Sequence, residues 1–362
     1  MRKNQACLEA SLFGVTPLGE SVEKITLINS LGMKVQFIDY ACTILCMDVE
    51  DKKGDFKNVV LNLPDLNSYI HTQRRFAAVM GRYAGRIDGG VYTLNGVTHQ
   101  LPVNSSGIAL HGDPRGFDRR VWRRKDFQLK HSMGSVYSLT SPDGDQGHPG
   151  NVIVTVTYEL MKRKNEFRMS YHASTDQPTF MTLTNHAYFN LAGAGTAGLA
   201  SHLFQINADQ YLQTDEKKIP SGRLLSVNDT PLDLRVPTEI TSHLKTPSSV
   251  LGDPPEFDHT MVLSKHNGRL RVAAKVMDQK SARTMQIKTT EPAIQFYTGN
   301  GFNKNEIGAE GVAYDKFDGF AMETFHFPDS PNQPHFPSAL ITPTKPLNSK
   351  TILIFDLEVK DS

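Results

Sequence analysis

Four segments of the sequence place histidine, carboxylate and amide side chains among aromatic residues and glycines. They are residues 110–118, 182–191, 292–300 and 323–332. A sugar presents hydroxyl groups that form hydrogen bonds and an apolar ring face that packs on aromatic side chains. Any one of these segments could equally be a polar-capped strand end. Four of them in one chain favour a carbohydrate site.

Three side chains in these segments could transfer protons. His111 and His186 lie near turn-forming or polar residues, so each could reach a cleft as a catalyst, a structural residue or a metal ligand. Neither has a histidine partner at short spacing, and we therefore predict no metal site. Glu323 follows the apolar residues 320–322, which places it at the end of a buried strand. Burial would raise its pKa, as a general base working near neutral pH requires.

The elements that must position these side chains are mostly strands. Apolar residues alternate with polar ones in four segments, which are 33–37, 152–160, 167–173 and 353–359. The 27 glycines and 20 prolines lie mainly between such segments, where they supply turn conformations. One short helix is predicted from Pro64 to Arg75, with Pro64 at its first position and Leu66, Tyr69 and Ile70 on one face. The pattern predicts one large antiparallel β domain.

Composition excludes several classes of protein. The 362 residues include 39 Lys and Arg against 38 Asp and Glu, a formal net charge of +1. This balance argues against a nucleic-acid or membrane-surface binder. Three cysteines, Cys7, Cys42 and Cys46, cannot form a disulfide framework. Residues 1–10 lack the apolar run of a signal peptide, so we expect a cytoplasmic protein unless a signal has been removed.

The ordered combination of these segments resembles the aldose 1-epimerases, also called galactose mutarotases, from about Ser21 to Val359. The motifs that carry the resemblance are Gly81-Arg82-Tyr83-Ala84-Gly85-Arg86-Ile87, Leu110-His111-Gly112 with Gly116-Phe117-Asp118, Ser141-Pro142-Asp143-Gly144 with Gly147-His148-Pro149-Gly150, Thr184-Asn185-His186 through Gly193, Phe257-Asp258-His259, Gln295 through Asn300, and Glu323 through Pro337.

The resemblance implies a fold, a reaction and a set of site residues. The fold would be a large antiparallel β-sandwich, the supersandwich of this family, formed as one domain by residues 1–362. The enzyme would be an isomerase that interconverts the α and β anomers of free hexoses, without a cofactor, as a monomer or homodimer. Glu323 would be the general base and His186 the general acid. The positions that match the family's substrate-binding residues are His111, Arg86, Asp258 and Gln295.

The chain departs from the family pattern around the expected site. Many members carry Asn-Pro-Tyr-Phe-Gly where residues 73–77 read Gln-Arg-Arg-Phe-Ala. Many have asparagine in place of Gly85, and glutamine in place of Phe325 after the Glu-Thr pair. Residues 113–115 replace a second glycine that usually follows the His-Gly pair. These changes affect the choice of sugar more than the reaction.

The two additional arginines leave the substrate open. Arg74 and Arg75 could favour an anionic or longer sugar, or they could be solvated surface charges. The alternatives to a mutarotase of free hexoses are therefore a hexose-6-phosphate epimerase of the same fold and a carbohydrate-binding protein without catalysis. A third alternative is a glycosidase that uses Glu323 and Asp258 as its carboxylate pair.

Overall fold

The computed structural model describes residues 5–358. The first four residues, part of the segment predicted to lack a signal peptide, lie outside this range. Val359, the last residue of the final predicted strand, also lies outside it. Within it, the strands of the first part of the chain are β1 (Cys7–Val15), β2 (Ser21–Ile28), β3 (Lys34–Ile38), β4 (Ile44–Glu50), β5 (Phe56–Asn58), β6 (Val79–Met80), β7 (Arg86–Asp88), β8 (Val91–Leu94), β9 (Val97–Gln100) and β10 (Ile108–Leu110).

Up to residue 358, the middle and last described parts of the chain add eighteen more strands. They are β11 (Arg123–Gln128), β12 (Ser132–Ser141), β13 (Val152–Met161), β14 (Glu166–Thr175), β15 (Thr179–Phe180), β16 (Thr184–Asn185), β17 (Tyr188–Phe189), β18 (His202–Ile206), β19 (Ala208–Thr214), β20 (Pro220–Ser226), β21 (Thr238–Glu239), β22 (Asp258–Leu263), β23 (Arg271–Asp278), β24 (Arg283–Thr289), β25 (Ala293–Tyr297), β26 (Phe320–Phe325), β27 (Leu340–Ile341) and β28 (Leu347–Leu357). The helices are α1 (Leu66–His71) and four 3₁₀ turns, Phe117–Arg119, Asp145–Gly147, His243–Lys245 and Ser330–Asn332.

Three sheets contain most of these strands. The first has the order β1-β2-β3-β4-β5, the second β11-β12-β13-β14-β28-β24-β23-β18-β21, and the third β17-β26-β25-β22-β19-β20. Neighbouring strands in each sheet run antiparallel. One buried apolar cluster takes side chains from all three, including Val35, Val154 and Phe296. This layered packing confirms the predicted antiparallel β-sandwich.

The predicted strands are confirmed where the alternation is strongest. Val154 and Tyr158 are fully buried on β13, and across the ladder they face Ala173 and Met169 of β14. Two segments with the same alternation therefore pair with their apolar faces on the same side of the sheet. Each large apolar side chain buried in this way stabilises the fold by about 1.5–3 kcal/mol.

The predicted helix is too long at both ends. Pro64 lies outside it, and the side chain of Asp65 caps the helix by accepting a hydrogen bond from the Ser68 amide. Thr72 has extended backbone angles, so the helix stops at His71 and residues 72–75 form a loop instead. The prediction that Leu66 and Tyr69 lie on the inward face of α1 is confirmed, because both side chains are buried. None of the helices within residues 5–358 is long and apolar enough to cross a membrane.

Candidate active site

One face of the third sheet forms the floor of a cavity of about 160 Å³. Strand register places Glu323 opposite Gln295, so their side chains form one row across β26 and β25. Tyr188, Tyr297 and Asp258 form the adjacent row. Strand pairing places these three residues level with one another, two positions along the strands from the first row. Side chains two residues apart point to the same face of a strand, and all five of these residues line the cavity.

Loops from other parts of the chain form the walls. His186 lies between β16 and β17, and its backbone amide donates a hydrogen bond of 2.9 Å to the Ala78 carbonyl. His111 follows β10, whose last residue, Leu110, pairs with Arg86 of β7. All six residues expected from the resemblance line this one cavity: Glu323, His186, His111, Arg86, Asp258 and Gln295.

The carboxyl and imidazole groups proposed for proton transfer face one another. Nε2 of His186 lies 3.6 Å from Oε1 of Glu323, and the two residues are only 7 % and 3 % exposed. Burial, assisted by the negative charge of Asp258, raises the pKa of Glu323 to about 8. Burial, assisted by the positive charge of Arg75, lowers the pKa of His186 to about 3. Burial in the cavity therefore favours a protonated carboxyl beside a neutral imidazole.

Glu323 differs in one respect from its sequence prediction. It is the fourth residue of the six-residue strand β26 and does not lie at its end. The prediction of a buried carboxyl with a raised pKa is confirmed, since Glu323 lies within the sheet, is only 3 % exposed and has its pKa raised by burial.

A polar network fixes the opposite side of the cavity. Nη2 of Arg86 donates to Asp258 over 3.2 Å, and Nε2 of Gln295 donates to the other oxygen of Asp258 over 2.6 Å. Thr260 in turn donates to Oε1 of Gln295 over 2.5 Å. Burial alone would raise the pKa of Asp258, but the Arg86 charge and the Gln295 hydrogen bond outweigh it and hold this pKa below its usual value. These fixed groups suit the recognition of hydroxyls.

His111 completes the wall beside Arg86. Its Nδ1 accepts a hydrogen bond of 3.1 Å from the Gly85 amide, so this ring nitrogen is unprotonated. Burial lowers the pKa of His111 well below its usual value. The ring of His111 stands edge-on to that of His186, with 5.5 Å between their centroids. His111 therefore presents a neutral imidazole with its second nitrogen available for a hydrogen bond.

The two additional arginines are not solvated surface charges. Nε of Arg74 lies 3.3 Å from Glu306, and Arg75 is hydrogen-bonded through Nη2 to Asp113, with Asp118 4.0 Å from its Nε. Both arginines line the cavity, and each is paired with a carboxylate. Arg75 of residues 73–77 and Asp113 of residues 113–115, both departures from the family pattern, therefore form one ion pair.

A second pair of departures also forms one unit. Gly85 has a φ of +94°, and a Cβ atom built on it would lie 2.8 Å from the ring of Phe325. The Phe325 ring therefore occupies the space that a side chain at position 85 would need. Phe325, Leu110 and Pro328 give this corner of the cavity an apolar surface.

The two arginines of the motif at residues 81–87 have different surroundings. Arg86 lines the cavity, whereas Arg82 is 0 % exposed and donates to carbonyl oxygens of the segment 141–150. Its acceptors include the carbonyls of Pro142 at 2.9 Å, Pro149 at 2.8 Å and Gly150 at 3.1 Å. Arg82 therefore joins two of the sequence motifs into one support for the cavity wall.

Sequence reasoning did not identify every lining residue. Tyr188, Tyr297, Phe325 and Arg75 line the cavity but were not among the expected site residues. Two of them could have been found from strand periodicity, because Tyr297 lies two residues after Gln295 and Phe325 two residues after Glu323. Arg75 stands out in the sequence as an additional arginine that could contact an anionic sugar, but its position in the cavity wall depends on the loop after α1.

The sandwich fold and the residues that line this cavity are typical of an enzyme that acts on sugars. Comparison with known proteins identifies the family. The sequence profile described as Aldose 1-epimerase matches residues 23–353. The chain belongs to the aldose 1-epimerase family.

Individual relatives match over nearly their whole length. The galactose mutarotase of Sus scrofa is 39% identical over 348 residues, which cover 96% of this chain and 98% of that protein. The aldose 1-epimerase of Escherichia coli (strain K12) is 34% identical over 331 residues, or 89% and 91% of the two chains. The crystal structure of galactose 1-epimerase from Lactobacillus acidophilus NCFM superposes with a TM-score of 0.84 at 25% identity, covering 98% of this chain and 100% of that one.

Proposed function

We propose that this protein is an aldose 1-epimerase that interconverts the α and β anomers of free hexoses such as glucose and galactose. One observation carries the proposal, the Glu323 carboxyl and the His186 imidazole placed 3.6 Å apart in a cavity lined by hydroxyl-binding groups. Mutarotation acts on the anomeric hydroxyl and the ring oxygen, which are bonded to the same carbon. The acid and the base must therefore lie close together, as these two groups do.

The proposed reaction begins with ring opening. The Glu323 carboxylate takes the proton of the anomeric hydroxyl as its C–O bond becomes a carbonyl. The bond from the anomeric carbon to the ring oxygen breaks, and protonated His186 donates its proton to that oxygen. The open-chain aldehyde then rotates about the bond between its first two carbons. Ring closure on the other face reverses both transfers, so the enzyme ends as it began.

The two groups act with one proton between them. Burial favours this proton on Glu323, and its transfer to His186 gives the carboxylate and imidazolium that ring opening needs. The charges of Arg86 and Arg75 favour the ionised carboxylate. After ring opening the proton is again on Glu323, which is the arrangement that burial favours. The site therefore stabilises the open-chain stage.

The remaining groups would hold the sugar. Arg86, Asp258, Gln295 and His111 offer hydrogen bonds to ring hydroxyls from fixed positions, which orients the anomeric carbon toward the proton-transfer pair. Aromatic side chains at positions 188 and 297 offer surfaces for the apolar face of the ring.

The pH dependence tests the shared proton. The pair carries one proton between the pKa of His186, about 3, and that of Glu323, about 8. We expect kcat/KM to be constant near neutral pH and to fall about tenfold per unit above about pH 8, because the pair then has no proton to give the ring oxygen. Polarimetry of freshly dissolved α-glucose, corrected for the uncatalysed rate at each pH, measures this. An enzymatic rate that keeps rising through about pH 9 would contradict the pairing.

Phosphorylated sugars test the main alternative. We expect kcat/KM for glucose 6-phosphate to be at least about tenfold below that for glucose, because Arg74 and Arg75 already have carboxylate partners that would repel a phosphate dianion. Polarimetry with both sugars in one buffer provides the comparison. Glu306→Gln, which frees Arg74, should narrow the difference. Equal or faster turnover of glucose 6-phosphate by the unaltered enzyme would favour the phosphate-specific alternative.

The wider setting of the enzyme is also a proposal. We expect a cytoplasmic monomer or homodimer with no nucleic-acid or membrane partner, consistent with its near-zero net charge. One domain spanning residues 1–362 is supported by the apolar cluster that connects early residues such as Ile25 to late ones such as Phe355. Absence of hydrolysis of aryl glycosides would exclude the glycosidase alternative.

A further inference from the structure

A groove of about 730 Å³ lies beside the cavity and shares part of its wall. This outer groove is lined by side chains of residues 63–74, which include α1 and the start of the loop after it, and of residues 305–307. Gln73 and Arg74 line both the cavity and the outer groove. The two spaces therefore adjoin at these two residues.

Arg74 is held at this junction by one nitrogen of its guanidinium. Its Nε donates to Oε1 of Glu306 over 3.3 Å. Neither Nη1 nor Nη2 of Arg74 donates a hydrogen bond to another of residues 5–358, and the side-chain amide of Gln73 has no hydrogen-bond partner in this range either. Arg74 is thus anchored, while its outer nitrogens and the Gln73 amide can bind a ligand that extends from the cavity into the outer groove.

The junction lies one row away from the proton-transfer pair. Tyr297 belongs to the row next to that of Glu323, and its hydroxyl accepts a hydrogen bond of 2.7 Å from the Gly301 amide. A Cβ atom built on Gly301 would contact both this hydroxyl and the Arg74 guanidinium. Arg74 therefore stands at the tip of Tyr297. A sugar ring with its anomeric carbon at Glu323 would present its far side to Arg74.

The side chains of the outer groove suit a sugar unit. Nδ1 of His71 donates to the Asn67 carbonyl over 2.8 Å, which leaves its Nε2 for a sugar hydroxyl. The exposed Asn305 side chain offers both a donor and an acceptor. Ile307 lines the same groove and is exposed, so it provides an apolar surface for one face of a sugar ring. Groups that bind hydroxyls and an apolar surface therefore lie side by side.

We propose that the outer groove binds the second unit of a 1→4-linked disaccharide whose reducing unit occupies the cavity. This inference rests on the proposed function, because mutarotation requires a free anomeric hydroxyl, and such a disaccharide has one only on its reducing unit. In a six-membered sugar ring the fourth carbon lies opposite the anomeric carbon. A unit attached there extends away from Glu323 and His186 and toward the free nitrogens of Arg74.

The outer groove should affect substrate binding and not the chemical step. It contains neither of the proton-transfer groups, so its contacts with the second unit are the same before and during ring opening. Such contacts lower KM for the disaccharide and leave kcat unchanged.

Polarimetry with maltose and 4-O-methylglucose tests the proposal in the unaltered protein. Both sugars carry a substituent on the fourth oxygen of a reducing glucose, but only maltose has a second unit. We expect KM for maltose to be at least about fivefold lower at a similar kcat, because the second unit adds a hydrogen bond and an apolar contact. A KM for maltose equal to or above that for 4-O-methylglucose, or above that for the 1→6-linked isomaltose, would overturn the proposal.

Substitutions in the outer groove provide a second test. The double variant Asn305→Ala with Ile307→Ser changes two exposed side chains that do not line the cavity. It should raise KM for maltose at least about fivefold. Its KM for glucose should stay within about twofold of the unaltered enzyme. The matched control is Val312→Ser, since Val312 is exposed in the same loop between β25 and β26 and lines neither space. The control should keep the KM for maltose, and an unchanged KM in the double variant would contradict the proposal.

Calorimetric titration distinguishes failure of this proposal from failure of the proposed function. We expect the unaltered protein to bind maltose at least about fivefold more tightly than 4-O-methylglucose. Tighter binding of maltose without acceleration of mutarotation would support the outer groove and refute the function. Mutarotation of glucose without tighter binding of maltose would refute the outer groove alone.

Discussion

Replacement of Glu323 by glutamine is expected to lower kcat for mutarotation by about 10²–10⁴-fold, the usual contribution of a general base. Glutamine has nearly the same shape as the protonated carboxyl that burial favours, so the fold and the cavity should be retained. The amide cannot take the proton of the anomeric hydroxyl, however. Polarimetry at saturating galactose measures kcat, and calorimetry measures the binding of galactose to the same variant.

Glu291→Gln is the matched control for this substitution. Glu291 is also buried, and burial raises its pKa to about 6, but it does not line the cavity. We expect its kcat to stay within about twofold of the unaltered enzyme, because it contacts no reacting group. If Glu323→Gln kept full activity, the catalytic assignment would be wrong. A different outcome is that Glu323→Gln binds galactose while neither this variant nor the unaltered protein accelerates mutarotation. That outcome would favour the alternative of a carbohydrate-binding protein without catalysis.

Replacement of His186 by asparagine is expected to lower kcat by a similar factor, about 10²–10⁴-fold. The remaining activity should have the opposite pH dependence to that of the unaltered enzyme. With the imidazole gone, only the Glu323 carboxylate is left to act as a base, and it forms above its pKa of about 8. The residual rate should therefore rise with pH where the unaltered enzyme loses activity. Polarimetry across this pH range distinguishes the two profiles.

His326→Asn is the control for His186→Asn. Burial also lowers the pKa of His326 to about 4, but His326 lies outside the cavity lining. The control should keep both kcat and the falling alkaline profile. The double variant of Glu323 and His186 should be little slower than either single variant, because the two groups act as one unit. Losses that multiplied in the double variant would indicate independent roles.

Much of the fold could be predicted because the burial of alternate residues is a local property of the sequence. Val154 and Tyr158 show this alternation on β13. Each buried apolar residue there is followed by a residue that faces the other side of the sheet. The end of α1 could not be predicted in this way. Residues 72–75 continue a helix-compatible sequence, and it is the extended backbone at Thr72 that ends the helix.

The expected site residues came from the motifs, while their relations to one another needed the fold. No spacing in the sequence indicates that Gln295 faces Glu323 across a ladder, or that Arg75 reaches Asp113. The pKa values of Glu323 and His186 likewise depend on burial by loops from distant parts of the chain. Long-range pairing is therefore the information that the sequence patterns lacked.

The contact between Gly85 and Phe325 couples substitutions at these two positions. A side chain added at position 85 would require the Phe325 ring to move, because the ring stands 2.8 Å from the new Cβ atom. The effect of a substitution at position 85 therefore depends on which residue stands at position 325, and the reverse also holds.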